Sequence, residues 1–181
     1  MKGCFDMAAR ELKTQCRMFA RELNDLARKL DESDGVKLQC GWFADASPYP
    51  DKRNTPVALV AICNEFGTSR APARPFVRPA IAEHGDRWLL HLAKGLKKVL
   101  DGQLSGVRTA FHLLGVEIVA DLKDSIMRVW SPPLSPRTVA ARRSKWSNAR
   151  SGGFQAALYK PLVDTAHMIN TTDYRVVGGG R

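Results

Sequence analysis

No apolar run in this sequence approaches the ~18–20 residues that a membrane-spanning helix requires, which argues against a helical span. The opening "MKGCFDMAARELK" lacks the apolar h-region of a secretory signal, so synthesis and use in the cytoplasm, or exit from it by another route, are expected. Cysteine is sparse: positions 4, 16, 40 and 63, with no C-x-x-C pair. That spacing excludes a disulfide scaffold and a zinc ribbon, and it reads as free thiols in a reducing compartment. Cys16 and Cys63 fall at apolar helical positions, where packing is their expected role. The four histidines, 84, 91, 112 and 167, include no pair at i, i+4. His84 and His91 share a helix face without a third ligand, so no metal site is expected. The phosphate-cradling G-x-x-x-x-G-K-[ST], the dinucleotide G-x-G-x-x-G, the nucleophile elbow G-x-S-x-G and H-E-x-x-H are all missing. No internal repeat occurs. With no cofactor motif and no assembled catalytic group, the sequence does not read as an enzyme.

What is present is an ordinary globular composition, 44% hydrophobic and 25% charged over 181 residues, enough to bury one core without staples. One domain, 1–181, is expected. The charge balance is basic, with 28 Lys and Arg against 18 Asp and Glu, a net +10. Such a surface meets nucleic acid, acidic proteins or anionic membranes, or only solvent. The charge is uneven. Residues 134–150 hold five cations, Arg137, Arg142, Arg143, Lys145 and Arg150, and no acid. Trp130 and Trp146 lie beside them, as in a basic patch with aromatics for single strands. No zinc finger, helix-turn-helix or RRM signature frames the patch. The same arginines also suit an arm that docks on an acidic neighbour.

Periodicity predicts an α+β fold, a small antiparallel sheet packed with several helices. Over 6–31, Leu12, Cys16, Phe19, Leu23, Leu26 and Leu30 step by 4, 3, 4, 3, 4. This short heptad seam suits either packing on the protein's own sheet or an interface between copies. Residues 36–44 read as a strand with Val36, Leu38, Cys40 and Trp42 on one face. Residues 45–56 read as an exposed, turn-rich loop. Thr55 as N-cap and Pro56 at the first position favour a helix for "VALVAICNEF", with a buried strand as the alternative. Gly67 is a natural stop for that helix. A third helix is expected over 79–101, with Ile81, Trp88, Leu92, Leu96 and Val99 on one side, ended by Gly102. A fourth, over 106–129, carries Phe111, Leu114, Ile118, Leu122, Ile126 and Val129. Ser135 caps a short helix from Pro136. Residues 131–159 are expected to form a flexible or extended basic arm within the domain. A turn of helix after Asp164 or Thr165 and a strand ending near Val177 precede a frayed tail, 178–181.

The densest punctuation is "EFGTSRAPARPFVRPAI", residues 65–81. Pro72, Pro75 and Pro79 fix φ and restrict the residue before each, so the segment reads as stiff and extended, or as a rigid elbow between helices. Phe66 and Phe76 are offered for burial, between subunits or within one subunit, and Arg70, Arg74 and Arg78 for pairing. Glu65 has no catalytic partner in sequence; a salt bridge or a hydrogen bond to nearby backbone is its expected role.

Three pieces in this order, "EFGTSRAPARPFVRPAI", "PPLSPRTVAARR" and "KPLVDTAHMINTTDYRVV", resemble the neck or tail-completion proteins of tailed bacteriophages and prophages. The resemblance covers 36–177. It implies a non-catalytic α+β subunit of a homo-oligomeric ring at the head–tail junction. That ring would contact head-completion or connector proteins on one side and tail-terminator or tail-tube proteins on the other. It also implies a place in the virion neck, host cytoplasm during assembly, no cofactor, no membrane, and at most passing contact with DNA in the channel. The interface residues expected from it and from the charge pattern are Glu65, Phe66, Arg70, Arg74, Phe76, Arg78, Leu134, Arg137, Arg142, Arg143, Lys160 and Asp164. Ala166 stands where the family has a glycine, which predicts a helical instead of a left-handed turn after Thr165. A basic nucleic-acid-binding protein is the alternative reading.

Overall fold

The computed structural model describes residues 35–49, 51, 53–146 and 158–178, with four isolated helical positions, Arg21, Asn24, Asp25 and Arg28. The side chains of Lys145 and Trp146 are not among those described. The expected helix over 6–31 lies outside the described residues but for those four, as do 147–157 of the expected arm and 179–181 of the tail.

The fold is α+β. Strand β1, Lys37–Gly41, pairs antiparallel with β2, Asp173–Val177, so two segments far apart in sequence form one ladder. Leu38 faces Val176 and Cys40 faces Tyr174. Between the strands come α1 (Val57–Phe66), α2 (Val77–Leu100), α3 (Val107–Arg128), α4 (Pro136–Trp146) and the single turn α5 (His167–Asn170). The run "VALVAICNEF" is therefore helical. Its entry differs from expectation: Pro56 is the cap residue, with extended φ and ψ, and its carbonyl accepts from the Leu59 and Val60 amides. The Thr55 hydroxyl donates to Asp51 instead of capping, because the 51–55 turn folds back on that carboxylate.

Helices α2 and α3 form an antiparallel pair broken at Gly102, which has φ 74°. Cross-helix ion pairs and hydrogen bonds set their register. Arg87 reaches Glu117 at 3.0 Å and also Asp121; the Trp88 indole donates to Asp121 at 2.6 Å; His91 meets Glu117 at 2.7 Å. Burial raises the Asp121 pKa, but the Arg87 and Trp88 donors outweigh it and hold the carboxyl below its ordinary value. In α3 the expected seam turns inward at Leu114, Leu122 and Ile126. In α2 the expected seam holds at Trp88, Leu92, Leu96 and Val99, which are half-buried or buried, but at its start Ala80 is buried and Ile81 exposed. The expected helix start at Pro79 is also two residues late, so the inward face is set from Val77 onward.

Gly115 of α3 meets the sheet where the Tyr174 ring crosses it, and a Cβ there would stand 2.2 Å from that ring. The Arg108 guanidinium ties the start of α3 to β2 by donating to the Val176 carbonyl at 2.9 Å. A buried cluster of Val57, Ala61, Phe76, Ile126 and Met168 joins α1, α3 and α5. Trp42 stands edge-on to Phe76 at 5.6 Å and donates to the Met168 carbonyl at 2.8 Å, which locks the end of β1 onto this core. Tyr49 also packs on the cluster, so the loop expected to be wholly exposed contributes to the interior.

Candidate functional site

The three sequence pieces that carry the family resemblance meet in space, and buried charges join them. The first joint is Glu65, at the end of α1. Its carboxylate accepts the backbone N–H groups of Phe76 at 2.7 Å, Val77 at 2.9 Å and Arg78 at 3.1 Å, and the Arg78 Nε at 2.9 Å. A helix start leaves its first amides without partners. Pro79 has no N–H to satisfy, so Glu65 meets the remaining open donors of the first turn of α2. Burial works to raise the Glu65 pKa, yet the three amides and Arg78 prevail and hold it below the ordinary 4.5. This carboxylate caps one helix from another.

The segment between them is an elbow. Thr68 and Ala71 bridge each other, the Arg74 amide returns to the Asn64 carbonyl at 2.7 Å, and Gly67 holds φ 77°. A Cβ on Gly67 would lie 2.7 Å from the Ala73 nitrogen, so the turn requires glycine. The expectation of an extended connector is thereby corrected in favour of the rigid elbow. The prolines restrict the backbone, but the Gly67 turn reverses its direction.

The second joint is Arg74, whose residue is only 8% exposed. Its Nε and Nη2 donate to the Pro132 and Pro133 carbonyls at 2.7 and 2.8 Å. The third is Arg142 on α4, which donates to the Lys160 carbonyl at 2.8 Å and the Val163 carbonyl at 3.3 Å and lies 3.6 Å from the Asp164 carboxylate. Burial pulls the Arg142 pKa below its ordinary value, Asp164 works against that, and the neighbouring Arg74 charge adds to the lowering. Ser135 caps α4 as expected, accepting the Thr138 amide at 3.2 Å. Beside the Arg74 and Arg142 joints lies a cavity of about 420 Å³, bordered by Tyr49, Asn64, Arg74, Leu134, Arg142 and Asp164.

The expected interface residues thus divide. Phe76 is fully buried and anchors the protein's own core, a burial worth about 1.5–3 kcal/mol. Glu65, Arg74, Arg142 and Asp164 make intrachain contacts, and Leu134 is half-buried beside the cavity. Lys160 lies 4.5 Å over the exposed Trp130 ring. Arg78 bridges Glu65 and the face of Phe66, 5.1 Å from that ring. Phe66, Arg70, Arg137 and Arg143 remain exposed, and the Arg143 guanidinium donates to the Tyr159 hydroxyl at 3.0 Å. Phe66 extends a stripe on α1 with Leu59 and Ile62; the three are 66%, 51% and 56% exposed. A second, apolar hollow of about 320 Å³ adjoins this stripe, between α1 and the end of β1 at Trp42.

Tyr49, Asn64 and His167, which also border the first cavity, were not among the expected interface residues. Their signal is absent because each is an isolated polar residue in an ordinary context, brought in by the loop, by α1 and by α5. After Thr165 the turn is left-handed at Ala166, φ 56° and ψ 8°, against the helical expectation. The turn leads into α5, whose Met168 carbonyl accepts from the Trp42 indole and whose Asn170 amide returns to the Ala166 carbonyl.

Among the described residues no helix is long and apolar enough to cross a membrane. Comparison with protein-family models, with curated proteins and with solved structures found no match to this protein.

Proposed function

We propose that this protein is a structural subunit of a tailed-bacteriophage neck, a homo-oligomeric ring that completes the tail or joins it to the head. The observation that carries this reading is the exposed stripe Leu59, Ile62 and Phe66, held on a frame that buried charges make rigid. Apolar patches rimmed by polar residues mark protein contacts. A repeated contact between unlike faces closes into a ring when the rotation per subunit permits it. Ring closure needs the same rotation at every joint, which a connector clamped by Glu65, Arg74 and Arg142 would supply. The partners in this reading are further copies of the protein, head-completion or connector proteins, and tail-terminator or tail-tube proteins. Its place is the virion neck, after assembly in the host cytoplasm, and catalysis has no part in it.

The test is particle assembly. Phage lacking this protein are expected to accumulate filled heads and separate tails, visible by electron microscopy, and virions are expected to contain it. Deleting 131–159 would also remove the Arg74 and Arg142 anchors, so the arm is better probed by Arg137→Glu, whose residue is exposed. That variant is expected to fold and to impair joining. Joined, infectious particles without the protein overturn the reading.

Nucleic-acid binding is the second reading, resting on the net charge of +10. The intrachain role of Arg142 leaves Arg137 and Arg143 as its exposed described cations on α4. Phosphate binding would weaken steeply with salt. An absence of DNA affinity at low salt excludes it.

A further inference from the structure

We propose that the cavity between Arg74 and Arg142 is a receptor for a single carboxylate of another polypeptide, either an Asp or Glu side chain or the terminal carboxylate. This goes beyond the neck reading and does not rest on it, since it concerns the isolated protein.

The case begins with Arg74. The residue is 8% exposed, and its described partners are two neutral carbonyls, which satisfy N–H groups without matching the formal charge. No carboxylate among the described residues lies in ion-pair contact with it. A buried cation of this kind is costly unless a counter-charge arrives. Arg142 borders the same cavity, and the two cations act on each other.

The acids bordering the cavity are turned to other groups. Asp164 faces Arg142 at 3.6 Å. Asp51 accepts the Thr55 amide at 2.9 Å and the Arg53 amide at 3.2 Å on the exposed side. His167 is turned to the Ser47 carbonyl at 2.8 Å. Among the described residues, Arg74 is thus met by carbonyls and by no carboxylate. At about 420 Å³ the space admits a carboxylate side chain with part of its backbone.

The same two acids decide the ligand's class. A nucleic-acid strand would bring a row of phosphates past Asp51 and Asp164, and like charges in close approach are unfavourable. A single carboxylate can sit inside, with the forked guanidinium geometry that arginine offers such a group. Neutral donors at the border, the Tyr49 hydroxyl and the Asn64 amide, suit the remaining lone pairs.

The test uses the full-length protein with isotope-labelled arginine, following the Arg74 and Arg142 Nε–H signals by NMR. The probe is a glutamate blocked at both ends as N-acetyl and N-methylamide. Saturable shifts of both signals are expected, with a dissociation constant on the order of 1 mM, as suits one buried charge-assisted contact. The blocked glutamine analogue is expected to leave both signals unmoved. Thr165, exposed at the cavity border, carries the second arm. Thr165→Glu should supply the carboxylate from within and reduce the response at least ~10-fold, whereas Thr165→Gln should retain it. Inorganic phosphate should bind more weakly than the blocked glutamate. The inference is overturned by any of three results: no saturable shift, an equal response to the glutamine analogue, or an unaltered response in Thr165→Glu. Tighter binding of phosphate overturns the assignment to a carboxylate.

Discussion

Ala166 holds a left-handed backbone, φ 56° and ψ 8°, without a glycine's freedom. For a residue with a Cβ that conformation costs roughly 1–2 kcal/mol, and a glycine there would give back part of the gain as extra disorder in the unfolded state. Ala166→Gly is therefore expected to stabilise the fold by about 0.5–1 kcal/mol, read as a melting temperature raised by about 1–4 °C. A lowered melting temperature would refute the strain. Glu65 makes the opposite kind of claim. Its carboxyl is held below the ordinary 4.5, so its contribution is fully present above that value and is lost as pH falls through the lower folded value. Glu65→Gln should cost about 1–3 kcal/mol at neutral pH, because an amide presents one acceptor oxygen to donors arranged for two. The difference in melting temperature between wild type and variant should shrink below pH 4.5. A constant difference from neutral to acid pH would show that folding leaves the Glu65 pKa unshifted. The expectation that Glu65 bonds to nearby backbone is legible in sequence, since a lone carboxylate at a helix end has few other uses. That it serves the next helix, 11 residues on, is not. This depends on the Gly67 turn bringing Phe76 back to α1.

Among the elements, the longest were the most legible. Helices α2 and α3 show 3.6-residue periodicity over many turns, and both end close to their predicted bounds. The inward face of α2 was less legible only at its start. Ala80 is buried and Ile81 exposed because the start of the helix is pinned by Glu65 and by the Ser125 hydroxyl, which donates to the Phe76 carbonyl at 2.6 Å. Hydrophobicity alone ranks Ile81 the more buried, and tertiary anchoring reverses the order. The contact between α3 and β2 makes a test of its own. Gly115 is the position where the Tyr174 ring passes closest, so Gly115→Ala should cost about 1–3 kcal/mol by overpacking. Combining it with Tyr174→Val should recover part of that loss, a favourable coupling measurable by denaturant titration of the four-member cycle. Full additivity of the two losses would mean that the ring does not meet this face of α3.

On the scale of the whole molecule, α1 points one way into the core through Val57 and Ala61 and the other way outward through Leu59, Ile62 and Phe66. A charge at Ile62 leaves the buried side untouched. Ile62→Asp is expected to change monomer stability by no more than about 0.5 kcal/mol and to weaken self-association at least ~10-fold, measured by native mass spectrometry over a concentration series. Unchanged oligomers would remove this stripe from any contact between copies. The basic block changes its meaning at this scale. In sequence Arg142 and Arg143 look equivalent, one residue apart on a short helix. In the fold Arg142 turns inward to the Lys160 and Val163 carbonyls, while Arg143 stays outside on the Tyr159 hydroxyl. Helical geometry separates neighbours by about 100°, so adjacent cations serve different surfaces.

By itself the sequence determined the α+β class, the helices long enough to show a period, the helix stop at Gly67 and the cap at Ser135. Each of these follows from interactions between residues close together along the backbone. Only the tertiary structure decided that Arg74 and Arg142 clamp three distant segments, that Phe76 faces inward while Phe66 faces out, and that Ala166 accepts a left-handed turn. Those outcomes depend on burial and on partners 18 to 59 residues away. A buried charge accepts whichever acceptor the fold delivers to it, and local sequence carries no record of that choice.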